Sequence, residues 1–334
     1  MKYSDARKNL MRGNAAIVAK NWLHLRRNNK VLIVTTPPHA DEIEIMRQAF
    51  QKFSGDVEVM IQEEQNKTSV YYDVHEDIFN GYDIVVGATN YSIITTKAVK
   101  KLISTGGKFL SFPCSTNDGR SILEYSFLRM DTQKSKFMSK IIKRYIDNAE
   151  SVCVTTQLGT NLRFYKRNRE PGFFNGEIWT SKGFSSSSIE LYVPIEETET
   201  EGCMYVDGSL GYIGRVDEPF MMQIHQGRIT DIEETKDGKR LIDYIDSFYD
   251  ENMRVAGELG IGLNSLSCCS GNCYIEDESA YGTFHIGFGR NLALGGIQEA
   301  CGHFDIVSMY PDIFADNRQL MSKGRIIVPV PQVY

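Results

Sequence analysis

Short apolar runs alternate with amphipathic stretches through the N-terminal part of the chain. Val31–Val34, Val57–Ile61, Tyr82–Gly87 and Lys108–Phe112 read as strands. Between them, Ala40 to Phe53 places Ile43, Met46, Phe50 and Phe53 at helical spacing, and Thr95 to Thr105 is helical as well. Residues 4–28 form an amphipathic helical pattern with Arg and Lys gathered towards its end, where the negative pole of a helix lies. Strands alternating with helices predict a parallel sheet. Glu124 to Glu150 reads as a long helix leading into a β-rich second half, broken by turn signals at Asn161, Gly183, Gly202, Asp207-Gly208, Gly227, Asp277 and Asp316-Asn317. Lys239 to Asn252 is the one helix expected there, and Ser185–Ser188 reads as a plain loop, with a flexible lip beside Glu190 as the alternative. The expected class is α/β. A Rossmann-like parallel-sheet domain spans residues 1–150, and a β-rich α+β metal-binding domain spans 151–334.

The loop after the first strand, Thr35-Thr-Pro-Pro-His-Ala-Asp41, has none of the glycines that a dinucleotide pyrophosphate requires. Gly287-Phe-Gly289 lacks the third glycine, because Leu292 holds that position, and it lies between strands. NAD binding is therefore not expected.

A chain of 334 residues has ample core for two domains, and its 42% hydrophobic content fits a folded protein. A net charge of -6 supplies no general attraction for nucleic acid, and the basic run Lys134–Arg144 reads as a solvated helix face. No apolar run approaches the roughly 18 residues of a membrane span, and no apolar segment follows Met1–Lys8 as in a secretory signal. The seven scattered cysteines fit reduced thiols, so a cytoplasmic setting is expected. Cys268-Cys-Ser-Gly-Asn-Cys273 lacks a second pair at zinc-ribbon spacing and reads as loop or core thiols.

Chemistry concentrates in Gly282–Asp305. Of six histidines, His285 and His303 fall within this segment, and His303-Phe-Asp305 on a strand would present an imidazole and a carboxylate on one face. If the strand Thr283–Phe288 pairs with it, His285 joins them, completing the donor set of an open metal site. The same residues would equally serve as a core imidazole on a backbone carbonyl with Asp305 accepting from His303. Gly287, Gly289, Gly295 and Gly296 favour the metal reading, since strand glycines mark a close approach. Glu258, within Val255–Gly262, and Glu190, within Ser188–Val193, are single acids on apolar strands. Such a charge is costly unless paired or coordinated. Together these residues could hold two metal ions around a bridging hydroxide, as two-metal hydrolases do.

Several segments in order resemble the aminopeptidase T family of metallopeptidases. They are Thr155–Phe164, Ser188–Glu196, Gly202–Ser209, Ala256–Asn264, Glu276-Asp-Glu278, Gly282–Gly289 and Gly302–Asp305. The likeness runs from about residue 30 to 328 and is densest from 188 to 305. It implies metal ligation by Glu190, Glu258, His285, His303 and Asp305, and a homodimer or higher homo-oligomer. The peptidases carry a catalytic tyrosine seven residues after the first histidine of this cluster, where this chain has Leu292. The same superfamily includes iron-dependent dioxygenases that cleave dihydroxypyridine rings with two histidines and an aspartate.

The expectation drawn from these observations is a hydrolase of the aminopeptidase type, using one or two Zn, Co or Mn ions on a small-molecule or short-peptide substrate. Glu258 would act in catalysis, and Arg290 or Tyr281 would stand in for the missing tyrosine. The alternative is a mononuclear Fe(II) ring-cleaving dioxygenase built on His285, His303 and Asp305. No nucleic-acid or membrane partner is expected.

Overall fold

The computed structural model of the protein describes residues 3–63 and 70–329. Its strands in chain order are β1 (Lys30–Thr35), β2 (Asp56–Ile61), β3 (Ile84–Ala88), β4 (Lys108–Ser111), β5 (Ser151–Thr155), β6 (Asn161–Tyr165), β7 (Gly172–Phe174), β8 (Gly183–Ser186) and β9 (Glu190–Pro194). They continue with β10 (Glu201–Val206), β11 (Phe220–His225), β12 (Arg228–Ile232), β13 (Ala256–Gly262), β14 (Thr283–Gly289), β15 (His303–Met309), β16 (Asp312–Ala315), β17 (Arg318–Ser322) and β18 (Arg325–Ile326). The α-helices are α1 (Asp5–Ile17), α2 (Ala40–Phe50), α3 (Val70–Val74), α4 (Lys97–Ser104), α5 (Thr132–Ile146), α6 (Lys236–Asp246) and α7 (Tyr274–Ser279). Internal contacts divide the chain into two units, Met1–Thr132 with Phe174–Ser188, and Gln133–Phe173 with Ile189–Tyr334. Among the described residues no helix is long and apolar enough to cross a membrane.

The first unit is built on a wholly parallel sheet in the order β2-β1-β3-β4-β8. Every residue of β3 is buried, as a strand covered on both faces requires. Leu32, Val34, Val85 and Phe109 meet Val99 and Leu102 of α4 in one continuous core. The fifth strand corrects the expected serine loop, and equally its alternative as a flexible lip. Ser186 pairs with Ser111, and Ser185, Ser187 and Ser188 are almost fully buried. Small hydroxyl side chains fit where the strand closes the sheet, a long-range pairing that local polarity hides.

Three helices, α1, α5 and α6, are shorter than their patterns predict. α1 stops at Ile17 and widens into a π-helical turn, Val18–Trp22, which buries Trp22. A Cβ on Gly176 would lie 2.2 Å from that ring, so glycine is required there. Ahead of α5, Ser121 and Glu124 form a capping box around a single 3-10 turn, and Arg7 holds both Glu124 oxygens. That carboxylate is thereby fixed outside the long helix it was expected to begin. α6 is capped by Thr235 and gives way beyond Asp246 to a separate turn capped by Asp250.

The second unit contains an eight-stranded sheet, β12-β11-β10-β6-β5-β16-β17-β18, and a five-stranded sheet, β15-β14-β13-β9-β7. The turn expected at Asp277 is instead part of α7, whose residues are all buried. In the five-stranded sheet, Leu259, Ile261, Phe284, Ile286, Phe288, Phe304 and Ile306 are wholly or almost wholly buried. Phe288 and Phe304 stack at 5.6 Å. The mixed α/β class, with a parallel sheet ahead of large antiparallel sheets, agrees with the expectation.

Candidate metal centre

Antiparallel register brings the scattered acids and imidazoles of the second unit onto one face of its five-stranded sheet. β14 pairs His285 with Gly260, Gly287 with Glu258 and Asp305, and Gly289 with His303. β9 pairs Glu190 with Gly262 and Tyr192 with Gly260. Directly paired residues share a face, so Glu190, Glu258, His285, His303 and Asp305 project together. A β-bulge contributes to this. Ala256 pairs with Phe288 on the apolar face, yet Glu258 pairs with Gly287 on the polar one. Gly257 is the surplus residue, and its carbonyl accepts from Asn291 Nδ2 at 3.1 Å and Ile195 N at 3.3 Å.

The side chains converge closely. His285 Nε2 lies 2.8 Å from Glu190 Oε2 and 4.0 Å from Asp305 Oδ1. His303 Nε2 lies 3.3 Å from both Glu258 Oε2 and Asp305 Oδ1. Glu258 belongs to two groups of potential ligands, one with Glu190 and His285, the other with His303 and Asp305. The glycines make the space. A Cβ on Gly260 would lie 1.9 Å from His285 Nε2, and one on Gly287 would lie 2.7 Å from His303 Cε1 and 2.9 Å from Asp305 Oδ1. Gly289, by contrast, serves the backbone, with φ +91 against the Gly302 carbonyl.

Two neighbours not anticipated from the sequence orient these groups. Tyr274, on α7, donates its hydroxyl to Asp305 Oδ2 at 2.7 Å, leaving Oδ1 turned to the imidazoles with no hydrogen-bond partner. Glu278, one turn further along α7, is buried beside the cluster. The Arg290 backbone carbonyl accepts from His303 Nδ1 at 2.9 Å, so Nδ1 carries hydrogen and Nε2 faces the acids. Arg290 thus contributes through its main chain, where the sequence had suggested its guanidinium. Tyr281 accepts at its hydroxyl from Ile326 N, and among the described contacts it makes none with the cluster.

Four buried carboxyls therefore surround two imidazoles, and their protonation shows the strain of that excess. Burial, then the Glu190 and Asp305 carboxyls, raise Glu258 despite His303 beside it. Burial and the same neighbours hold Glu278 well above the usual carboxylate range. Burial opposes charge on His285, but Glu190 and Asp305 outweigh it and raise the imidazole to about 9. Burial likewise opposes ionisation of Asp305, yet His303 and His285 bring it down to about 2. A buried acid-rich cluster with an unsatisfied Asp305 oxygen and a glycine floor fits a divalent cation. The cysteine run is different in kind. Cys273 is buried, burial raises its thiol well above the usual range, and none of Cys268, Cys269 or Cys273 joins a metal-ligand group among the described residues.

The fold and cluster define a candidate metal-dependent enzyme. The sequence profile of the 2,5-dihydroxypyridine 5,6-dioxygenase (NicX) family matches residues 43–328, and the chain belongs to that family. Its fold is similar to the solved 2,5-dihydroxypyridine dioxygenase of Pseudomonas putida KT2440, with a TM-score of 0.79 and 17% identity over 96% of this chain and 98% of that one. Wild-type AmpT from Thermus thermophilus is more distant, with a TM-score of 0.61 and 13% identity over 96% of this chain and 100% of that one. No curated protein sequence matches the chain significantly. The expected aminopeptidase-type hydrolase is overturned by the family match. Leu292, where those peptidases carry tyrosine, accords with that correction, and AmpT marks only the shared fold.

Proposed function

We propose that the protein is an Fe(II)-dependent dioxygenase that cleaves an electron-rich dihydroxypyridine ring, with His285, His303 and Asp305 as the metal ligands. The observation that carries this reading is Asp305 Oδ1, buried without a hydrogen-bond partner, 3.3 Å from His303 Nε2 and 4.0 Å from His285 Nε2. Two imidazoles and one carboxylate make up the facial set of non-haem iron oxygenases. Ferrous iron, when bound, would bring the ring and dioxygen together and let electrons pass from the ring to the oxygen.

The chain's own residues do the rest. Tyr274 and the Arg290 carbonyl hold Asp305 and His303 in register. Glu258, raised by burial, is suited to receive the proton of a ring hydroxyl. His303 is the most exposed of the five, with 16% of its side chain accessible, so a ring enters past it. Tyr192 borders Glu190 and Glu258 and supplies a partly buried aromatic wall.

The test is anaerobic loading with Fe(II), followed by oxygen-electrode measurements with 2,5-dihydroxypyridine. Oxygen uptake matching loss of the ring's absorbance is expected. An iron-loaded protein that leaves both oxygen and ring untouched would overturn the reading.

A further inference from the structure

The first unit holds a second cluster, unrelated to the one above. Its sheet order reverses beside β1, since β2 lies on one side of it and β3 on the other. Open α/β sheets take their ligands outside the carboxyl ends of their strands at such a switch point. The segments at that edge carry chemistry. His39 ends the turn after β1, Glu42 lies in the first turn of α2, Asn90 follows β3, and Cys114 follows β4.

These side chains meet. Ligand atoms of His39, Glu42 and Cys114 all lie within 4.8 Å of one another. His39 Nδ1 contacts Glu42 Oε1, while Nε2 lies 2.6 Å from Asn90 Oδ1. Glu42 is 2% exposed and Cys114 1%. Glu42 Oε2 has no hydrogen-bond partner, nor do the buried hydroxyls of Thr35 and Thr36 at the end of β1.

We propose that this cluster at the strand ends binds a zinc-type divalent cation through His39 Nδ1, Glu42 and the Cys114 thiolate, leaving a fourth position open. Imidazole, carboxylate and thiolate together are the donors of a borderline cation such as Zn2+. An amide oxygen accepting from Nε2–H is the usual partner of a ligating histidine, and it points Nδ1 at Glu42. His39 Nδ1 and Glu42 Oε1 face each other, and a cation would take the place of the hydrogen they now share. A cation would also satisfy the buried Glu42 Oε2, which has no hydrogen-bond partner. Cys114 now donates weakly to the Phe112 carbonyl at 3.3 Å. Binding exchanges that contact for a metal–sulfur bond and releases the thiol proton to solvent.

Cobalt reports the site independently of the first cluster. In protein carrying His285→Ala, His303→Ala and Asp305→Ala, which breaks both ligand groups of the first cluster, titration with Co2+ should reach about one ion per chain and develop a thiolate-to-cobalt charge-transfer band. Adding Cys114→Ser should abolish the band and weaken binding by about tenfold or more. Absence of the band, or its survival in Cys114→Ser, would overturn the proposal. If the serine variant does not fold, His39→Gln and Glu42→Gln carry the same test, and unchanged Co2+ affinity in both would overturn it equally.

Discussion

Gly287→Ala isolates the geometry of the first cluster from its chemistry, because it changes no donor atom. The added methyl would lie 2.7 Å from His303 Cε1, 2.9 Å from Asp305 Oδ1 and 2.9 Å from Glu258 Cβ. Ordinary carbon contacts are about 3.5–4.0 Å, so these groups must retreat by roughly 1 Å. In metal-free protein they can turn aside, and overpacking should cost about 1–3 kcal/mol. With metal bound they cannot turn aside without lengthening bonds to the ion, so affinity should fall by about 10- to 100-fold. At saturating metal that loss removes a further ~1.4–2.7 kcal/mol of ligand-derived stability. Calorimetry of metal-free and metal-loaded forms, with metal content measured in parallel, separates the two costs. A larger drop in melting temperature for the loaded form is expected. Gly13→Ala is the control: a Cβ there meets nothing within 4 Å, and metal binding should be unaffected. Wild-type metal affinity in Gly287→Ala would show that the donors do not converge above that glycine.

Three further outcomes are expected. Tyr274→Phe should fold but strand Asp305 Oδ2, costing about 1–3 kcal/mol in stability and about tenfold or more in metal affinity, both measurable by titration and melting. In chelator-treated protein, His285 is raised to about 9 from an unfolded value near 6.5. Its contribution of about 3 kcal/mol is complete below pH 6.5 and disappears as pH rises through about 9, so the metal-free melting temperature should fall across that window. A bound metal needs that proton gone, so metal affinity should instead rise over the same range, with proton release visible by calorimetry in buffers of different ionisation enthalpy. Asp305→Ala should lose the metal and the ring-cleaving activity together while Glu258→Gln keeps the metal, a contrast read by elemental analysis.

The ligand strands were legible because alternation is a local property. His303 and Asp305 two apart, and Glu258 and Glu190 alone among apolar neighbours, announce a shared polar face wherever the strands pair. Gly287 announced the space above it. What stayed hidden depends on distant partners. Tyr274 reaches Asp305 from a six-residue helix whose acidic run reads as a turn. The serine strand β8 is buried only because β4 accepts it as a parallel neighbour. Arg290 drew notice for its charge, whereas its carbonyl is the atom that sets the His303 tautomer. The choice between hydrolysis and oxygenation was illegible for another reason: the same buried acids and imidazoles suit either chemistry, and substrate selection resides in walls that no motif marks.

The bulge at Gly257 gives the centre a vulnerability of its own. Glu258 looks towards the imidazoles because one unit of strand count is absorbed next to it, and Asn291 and Ile195 grip the surplus carbonyl that keeps it absorbed. The location of a carboxylate is thus encoded as phase, not as identity. A single slip of the ladder would turn Glu258 towards the phenylalanine layer with every donor residue still present. Substitutions that never touch the cluster can then disarm it, and Asn291, which contributes no atom to the donor set, becomes the residue on which that phase depends.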